Sequence, residues 1–277
     1  VSAAEGATEE AGAEPALRLR GAALGYGDRT LWNGLDLDVR PGEFLAVLGP
    51  NGTGKTSLLR AALGLTRLSA GTVEVNAPVG YVPQQKTLQA GVPVRARDLV
   101  RFGVDGHRWG IGRPGRGREL RRRVDAALAE VGAAEYADIP VGMLSGGEQQ
   151  RVRIAQALAS DPGLLLCDEP LLSLDLRRQQ EVTALVDARR RRRGTAVVFV
   201  THEINPVLGV VDRVLYLAGG RFRVGPPDEV LTSPVLSELY GARIEVVRAG
   251  GRVIVAGAEA AAAEDAHHLD DTVEVAH

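Results

Sequence analysis

Apolar and polar residues alternate in two different ways along the first fifty positions. Leu17 and Leu19, then Leu35, Leu37 and Val39, alternate with polar neighbours, which is the period of strands with one buried face. Phe44-Leu45-Ala46-Val47-Leu48 is continuously apolar and stops at Gly49, the pattern of a strand covered on both faces. The same pattern returns in Leu164-Leu165-Leu166-Cys167 before Asp168, in Ala196 to Val200 before Thr201 and His202, and in Val214 to Leu217. Helical periods lie between these runs. Leu58, Leu59, Ala62 and Leu63 follow the first one, and Leu120, Val124, Leu128 and Val131 recur on one helix face before a stop at Gly132. Short buried strands alternating with helices predict an α/β protein built on a parallel sheet.

Residues 95 to 160 differ in character and predict a helical subdomain inserted into that core, with the Gly- and Arg-rich stretch Gly103 to Gly117 as an exposed loop. Arg243 to Val255 carries two alternating stretches around Ala249-Gly250-Gly251, the signal of a hairpin. Residues 1–15 read as a disordered tail, and 257–277 as a mobile, acidic, Ala-rich one within a C-terminal extension, 241–277. No internal repeat is present.

The strongest chemical signal is Gly49-Pro50-Asn51-Gly52-Thr53-Gly54-Lys55-Thr56, between a buried strand and a helix. Glycines let successive backbone N–H groups converge on one anion, and the helix N-terminus adds its positive end. Lys55 is expected to reach the β- and γ-phosphates of a nucleotide and the Thr56 hydroxyl to ligate Mg²⁺. Asp168 and Glu169 end another buried strand. There an Asp can hold Mg²⁺ and a Glu can polarise the attacking water; the same pair could also merely cap the next helix. Neither lysine, Lys55 or Lys86, lies in an Asn-Lys-x-Asp guanine-reading motif, so a GTPase is disfavoured. Leu144-Ser145-Gly146-Gly147-Glu148-Gln149 contains a capping box, Ser145 to Glu148, which alone supports only a capped helix. Its two glycines leave N–H groups uncovered at a helix start, so it is also a candidate anion site, one that could serve a nucleotide held by another protomer.

Composition narrows the classes. The chain has 277 residues, 45% hydrophobic and 25% charged, which excludes bulk disorder. A net charge of -2 gives no global basic field toward nucleic acid. The run Arg189 to Arg193 is expected to complement a helix C-terminus before Gly194. The single cysteine, Cys167, excludes a disulfide framework and a cysteine-based zinc site. No apolar run reaches the roughly 18 residues of a membrane helix, and no apolar leader stands at the N-terminus, so a cytosolic chain is expected. His267, His268 and His277 in the tail read as solvated residues.

Over residues 16 to 240 the sequence resembles the nucleotide-binding subunit of ATP-binding cassette (ABC) transporters. Residues 49–56 match the P-loop and extend to Ser57; Leu144 to Gln149 match the signature sequence; Leu164 to Asp168 match the Walker B strand, with Glu169 at the catalytic-base position. Gln84 in Tyr81-Val82-Pro83-Gln84 matches the Q-loop, Ser173-Leu174-Asp175 the D-loop and His202 the switch histidine. Tyr26 stands where the family stacks a ring on adenine. The resemblance implies an α/β fold: a P-loop NTPase core with a mostly parallel sheet, an antiparallel β subdomain and an inserted helical subdomain. It also implies an ATPase whose catalytic residues are Glu169, His202, Gln84 and Lys55. ATP is to be bound by Tyr26, Gly49 to Ser57, Ser145, Gly146, Gly147 and Asp175, and Mg²⁺ by Thr56, Gln84 and Asp168. Because one chain supplies half of each site, a second ABC subunit is required, most simply a second copy. The other implied partners are integral membrane permease subunits and an extracytoplasmic substrate-binding protein, with no nucleic acid, at the cytoplasmic face of the membrane. The short stretch Gly71 to Gln84 and Thr201 to Pro206 resemble the zinc/manganese uptake branch, so import of a divalent metal is the expected function. A drug or lipid exporter subunit and a soluble non-transport ABC ATPase are the alternatives.

Overall fold

The computed structural model describes residues 14–27, 29–84, 93–105 and 116–257. In chain order the elements are β1 (Leu17–Tyr26), β2 (Arg29–Val39), β3 (Phe44–Leu48), α1 (Lys55–Ala62), β4 (Ala70–Val75), β5 (Val79–Val82), α2 (Ala96–Asp105), α3 (Arg116–Glu130) and α4 (Gly146–Leu158). Then follow β6 (Leu164–Asp168), α5 (Leu176–Arg193), β7 (Ala196–Val200), β8 (Arg213–Ala218), β9 (Arg221–Gly225), α6 (Pro227–Val230), α7 (Ser233–Tyr240), β10 (Glu245–Ala249) and β11 (Arg252–Ala256).

Six strands form the central sheet in the order β5-β6-β7-β3-β8-β9, parallel except for the antiparallel edge strand β9. β2-β1-β4 form a separate antiparallel sheet. The continuous apolar runs follow from burial on two sides. Along β3, Phe44, Ala46 and Leu48 enter one core with α2 to α5, whereas Leu45 and Val47 enter a second core with Leu58 and Leu59 of α1 and Trp32 of the antiparallel sheet. The same split runs through β6 and β7, where Cys167 and Phe199 face the first core and Leu166 and Val198 the second. Burial pushes the Cys167 thiol up, so it carries no thiolate chemistry.

One expectation is corrected. The stretch from Gly103 to Gly117 is not a loop at its ends, because α2 runs to Asp105 and α3 begins at Arg116. Gly103 is a packing glycine: a Cβ there would stand 2.0 Å from the Gln156 carbonyl oxygen of α4. Residues 106–115 lie outside the described residues, as do 1–13 and 258–277, and with them nearly all of the two expected tails and His267, His268 and His277; Pro15, at the end of the first, is buried and accepts from the Asn76 side chain at 3.0 Å.

The arginine run at the end of α5 is drawn into ion pairs. Arg189 is buried and donates to Asp161, to Glu130 at 3.4 Å and to the Thr195 hydroxyl at 3.3 Å, tying α5 to α3 and to the turn before β6. Arg190 pairs with Asp187 and Asp212, Arg191 with Asp187, and Arg192 with Glu130. Gly194 closes the helix in the left-handed conformation, φ 65°.

Candidate functional site

The carboxyl ends of β3, β6 and β7 converge because these strands are adjacent and parallel. Ligands of open α/β sheets bind at such ends. β3 delivers the loop Gly49 to Gly54, and α1 starts at Lys55 with Gly54 as its N-cap. The loop closes on itself: Thr53 Oγ1 donates to the Pro50 carbonyl at 3.0 Å, and the Lys55 ammonium donates to the carbonyls of Gly49 and Pro50 at 2.7 and 2.8 Å. Lys55 is buried, which lowers its pKa, while Glu169 and Asp168 pull the other way. A partly desolvated ammonium at a helix N-terminus is a strong anion partner.

β6 ends at Asp168, which is 1% exposed. Its carboxylate accepts from the Thr56 hydroxyl at 3.0 Å and from the Tyr81 hydroxyl at 3.4 Å. Burial raises the Asp168 pKa and Glu169 adds to the rise, against the Thr56, Tyr81 and Lys55 contacts. Tyr81 is pushed up to about 12 by burial and by Asp168, so it stays a neutral donor. The sequence did not mark Tyr81 as a site residue; its only signal is its place just before Pro83-Gln84.

Glu169 follows with φ 45°, and Ser173 has φ 63°, so two non-glycine left-handed residues flank the turn after β6. Each costs about 1–2 kcal/mol, and backbone strain of this kind collects at functional sites. The Glu169 N–H donates to the Val200 carbonyl at 3.0 Å, and its carboxylate accepts from the Gln84 side-chain amide at 3.2 Å. His202 lies two residues beyond the end of β7 and is exposed. Gln84, Lys55, Thr56, Asp168 and Glu169 are thus linked in one cluster, with His202 on the neighbouring strand end.

Other expected residues stand apart from it within the chain. Tyr26 is 53% exposed and donates to Ser57 Oγ at 3.2 Å, at the rim of the loop. Asn51 and Gly52 are exposed at the loop tip. Ser145 caps α4 in a complete capping box: its N–H donates to Glu148 Oε2 at 2.7 Å, and these bonds hold the Glu148 carboxyl below the usual range. Ser145 and Gly147 border a cavity of about 240 Å³, with Tyr136, Arg151, Leu174 and Arg178 on its other sides. No P-loop residue lines it. Gly146 begins the same helix, and Asp175 caps α5, accepting from the Arg178 N–H at 2.9 Å.

Comparison with known proteins decides the family. The ABC transporter family model matches residues 32–172. The zinc import ATP-binding protein ZnuC of Halorhodospira halophila is 36% identical over 86% of this chain and 88% of its own length. The chain belongs to the ABC transporter family. It is an ABC ATPase, and ATP is its nucleotide. The ZnuC of Paramagnetospirillum magneticum is 37% identical over 82% of this chain and 83% of its own. Among solved structures, an inward-facing ABC transporter assigned to the metal-chelate type matches with a TM-score of 0.77 at 30% identity, covering 87% of this chain and 96% of that one. The dimeric ABC transporter cassette MJ0796 matches with a TM-score of 0.64 at 27% identity, covering 76% and 98%. No helix among the described residues of this ABC ATPase is long and apolar enough to cross a membrane.

Proposed function

We propose that this chain is the ATPase subunit of a zinc importer. The reading of the site rests on one observation: the Lys55 loop, the Thr56–Asp168 hydrogen bond and the Gln84–Glu169 hydrogen bond form one cluster at the sheet's carboxyl edge. Zinc follows from the relatives, which are zinc import ATP-binding proteins over most of both chains. The ATPase domain is assigned to residues 16–240, its helical subdomain to about 95–160, and the C-terminal extension to 241–277.

In this reading the backbone of Gly49 to Gly54 and the Lys55 ammonium bind the phosphates, and Thr56 and Ser57 continue the cradle at the start of α1. Lys55 exchanges its two loop carbonyls for phosphate oxygens, so the loop is preformed and only its cation changes partner. Tyr26 stacks on the adenine from the rim. The hydroxyl of Thr56, the carboxylate of Asp168 and the carbonyl of Gln84 would hold Mg²⁺; these are hard oxygen donors, the first two already 3.0 Å apart. When bound, the ion neutralises charge on the β- and γ-phosphates. Glu169 accepts the proton of the attacking water and Gln84 orients its carboxylate. His202 contacts the γ-phosphate from the next strand. Ser145, Gly146 and Gly147 of a second copy close over the nucleotide, and Asp175 lies at the contact between copies. Integral membrane permease subunits receive the motion at the cytoplasmic face, and an extracytoplasmic binding protein delivers the zinc.

The test is Glu169→Gln, which keeps charge-independent shape and removes the base. ATP binding should persist, an ATP-dependent dimer should accumulate on size exclusion, and turnover should fall by at least about 100-fold. Wild-type turnover in that variant removes Glu169 from its role.

A further inference from the structure

The C-terminal hairpin is hydrogen-bonded to the segment that follows His202 through the side chain of Asn205. In β11, Val253 donates its N–H to Asn205 Oδ1 at 2.8 Å and accepts at its carbonyl from Asn205 Nδ2 at 2.9 Å. A strand residue's N–H and C=O point the same way, so Val253 faces away from β10, its cross-strand partner being Arg248. The Asn205 amide therefore takes the place of a neighbouring strand on the open edge of β11.

Asn205 lies three residues after His202, and little between them can swing. Thr201 Oγ1 donates to the Glu203 carbonyl at 3.0 Å and accepts from the Glu203 N–H at 3.2 Å. Ile204 is buried in the same core as Ile244 and Val253. His202 makes no hydrogen bond among the described residues, so its backbone is what places it. The other edge of the hairpin is held independently of the site: Ser233 Oγ of α7 accepts from the Val246 N–H at 2.8 Å, and Arg248 donates to the Pro227 carbonyl of α6 at 3.1 Å.

We propose that Asn205 is a positioning residue for ATP hydrolysis, through which the hairpin β10–β11 fixes the loop that carries His202. The inference rests on the reading of His202 given above. It assigns the extension a task inside the catalytic cycle: a hairpin seated on Asn205 keeps His202 in place, and a displaced hairpin slows hydrolysis without weakening ATP binding.

The experiment measures phosphate release, KM for ATP and nucleotide affinity of the full-length chain in Asn205→Ala, Val253→Pro, Ser233→Ala and His202→Ala. Val253→Pro removes the N–H that Asn205 accepts, and because Val253 is also buried the variant's melting transition is recorded beside its rate. Asn205→Ala, which loses both hydrogen bonds, should lower kcat about tenfold, and Val253→Pro, which loses the one made by its N–H, about threefold, with KM and affinity unchanged within about twofold. The double variant should be no slower than the slower single one, because both break the same link. Ser233→Ala loosens the hairpin on its far edge and should stay within about twofold of wild type. If His202→Ala loses turnover while Asn205→Ala keeps it, the inference is overturned and the reading of His202 stands. Equal losses in Ser233→Ala and Asn205→Ala also overturn it, since the hairpin would then act through general stability. Full turnover in His202→Ala removes the reading of His202 and this inference with it. Should Asn205→Ala lack a cooperative melting transition, Val253→Pro and Asn205→Asp, which keeps the acceptor for Val253, decide by the same criteria.

Discussion

Alanine at Gly49 and alanine at Gly52 perturb the phosphate loop by different physical routes. Gly52 has φ 77°, and a Cβ there would meet only the Arg29 guanidinium, at 3.9 Å. Its cost is the left-handed backbone alone, about 1–2 kcal/mol, reduced by about 0.4–1 kcal/mol through the stiffer unfolded chain. Gly49 has φ 136°, and its Cβ would stand 2.0 Å from the Leu217 carbonyl oxygen and 3.0 Å from the Leu217 carbonyl carbon. Leu217 is backbone of β8, paired with Phe222 of β9 and adjacent to Tyr216, which pairs with Leu48 of β3, so it cannot yield cheaply. Backbone strain of about 1–3 kcal/mol then adds to overpacking of about 1–3 kcal/mol. Against a total stability of about 5–15 kcal/mol, this is a large fraction. At about 2 °C per kcal/mol for a chain of this size, Gly52→Ala should melt within about 4 °C of wild type and Gly49→Ala about 4–12 °C lower. The assay is thermal unfolding by far-ultraviolet circular dichroism without nucleotide. Equal melting temperatures for the two variants would refute the argument, because the Leu217 contact is the larger of the costs that Gly49→Ala adds.

Further outcomes follow from the site and its supports. Asp168 has a raised pKa in the folded state, so the fold binds more protons than the unfolded chain once pH passes the ordinary carboxyl value. The stability of wild type relative to Asp168→Asn should therefore fall as pH rises from about 3.8 through the raised value and then level off; a difference that grows with pH contradicts the burial argument. Asp168→Asn should also lose ATPase activity, as measured by phosphate release. Arg189→Ala leaves Glu130 without its buried cation, although Asp161 remains solvated, and should cost about 3 kcal/mol by urea unfolding. A loss under about 1 kcal/mol would mean that the clamp between α3 and α5 is unimportant.

The sequence carried the buried strands and the phosphate loop because both are local. β3, β6 and β7 are covered on two faces, which requires continuous apolar runs, and the loop needs its glycines in order. The capping box at Ser145 was legible for the same reason. β4 and β9 were not read as strands: they lie at sheet edges, mostly exposed, and carry weak alternation. Gly103 was read as a loop residue, since nothing local reveals that its backbone packs against Gln156. Tyr81 and Asn205 escaped because their partners, Asp168 and Val253, lie 87 and 48 residues away in sequence. The arginines after Ala188 stand at the end of α5 before Gly194, as expected of cations at a helix C-terminus, but their ion pairs with Asp187, Asp161, Glu130 and Asp212 were not legible.

The most direct measurement is growth of a strain lacking this chain under metal chelation, with single metals restored and with either the wild-type or the Glu169→Gln chain supplied. The account predicts that growth fails, that added zinc alone among the divalent metals restores it, and that the wild-type chain but not Glu169→Gln removes the need for added zinc. Growth equal to the parent strain under every metal condition, with no second importer expressed, would contradict zinc import. Rescue by Glu169→Gln would contradict the role of ATP hydrolysis at this site.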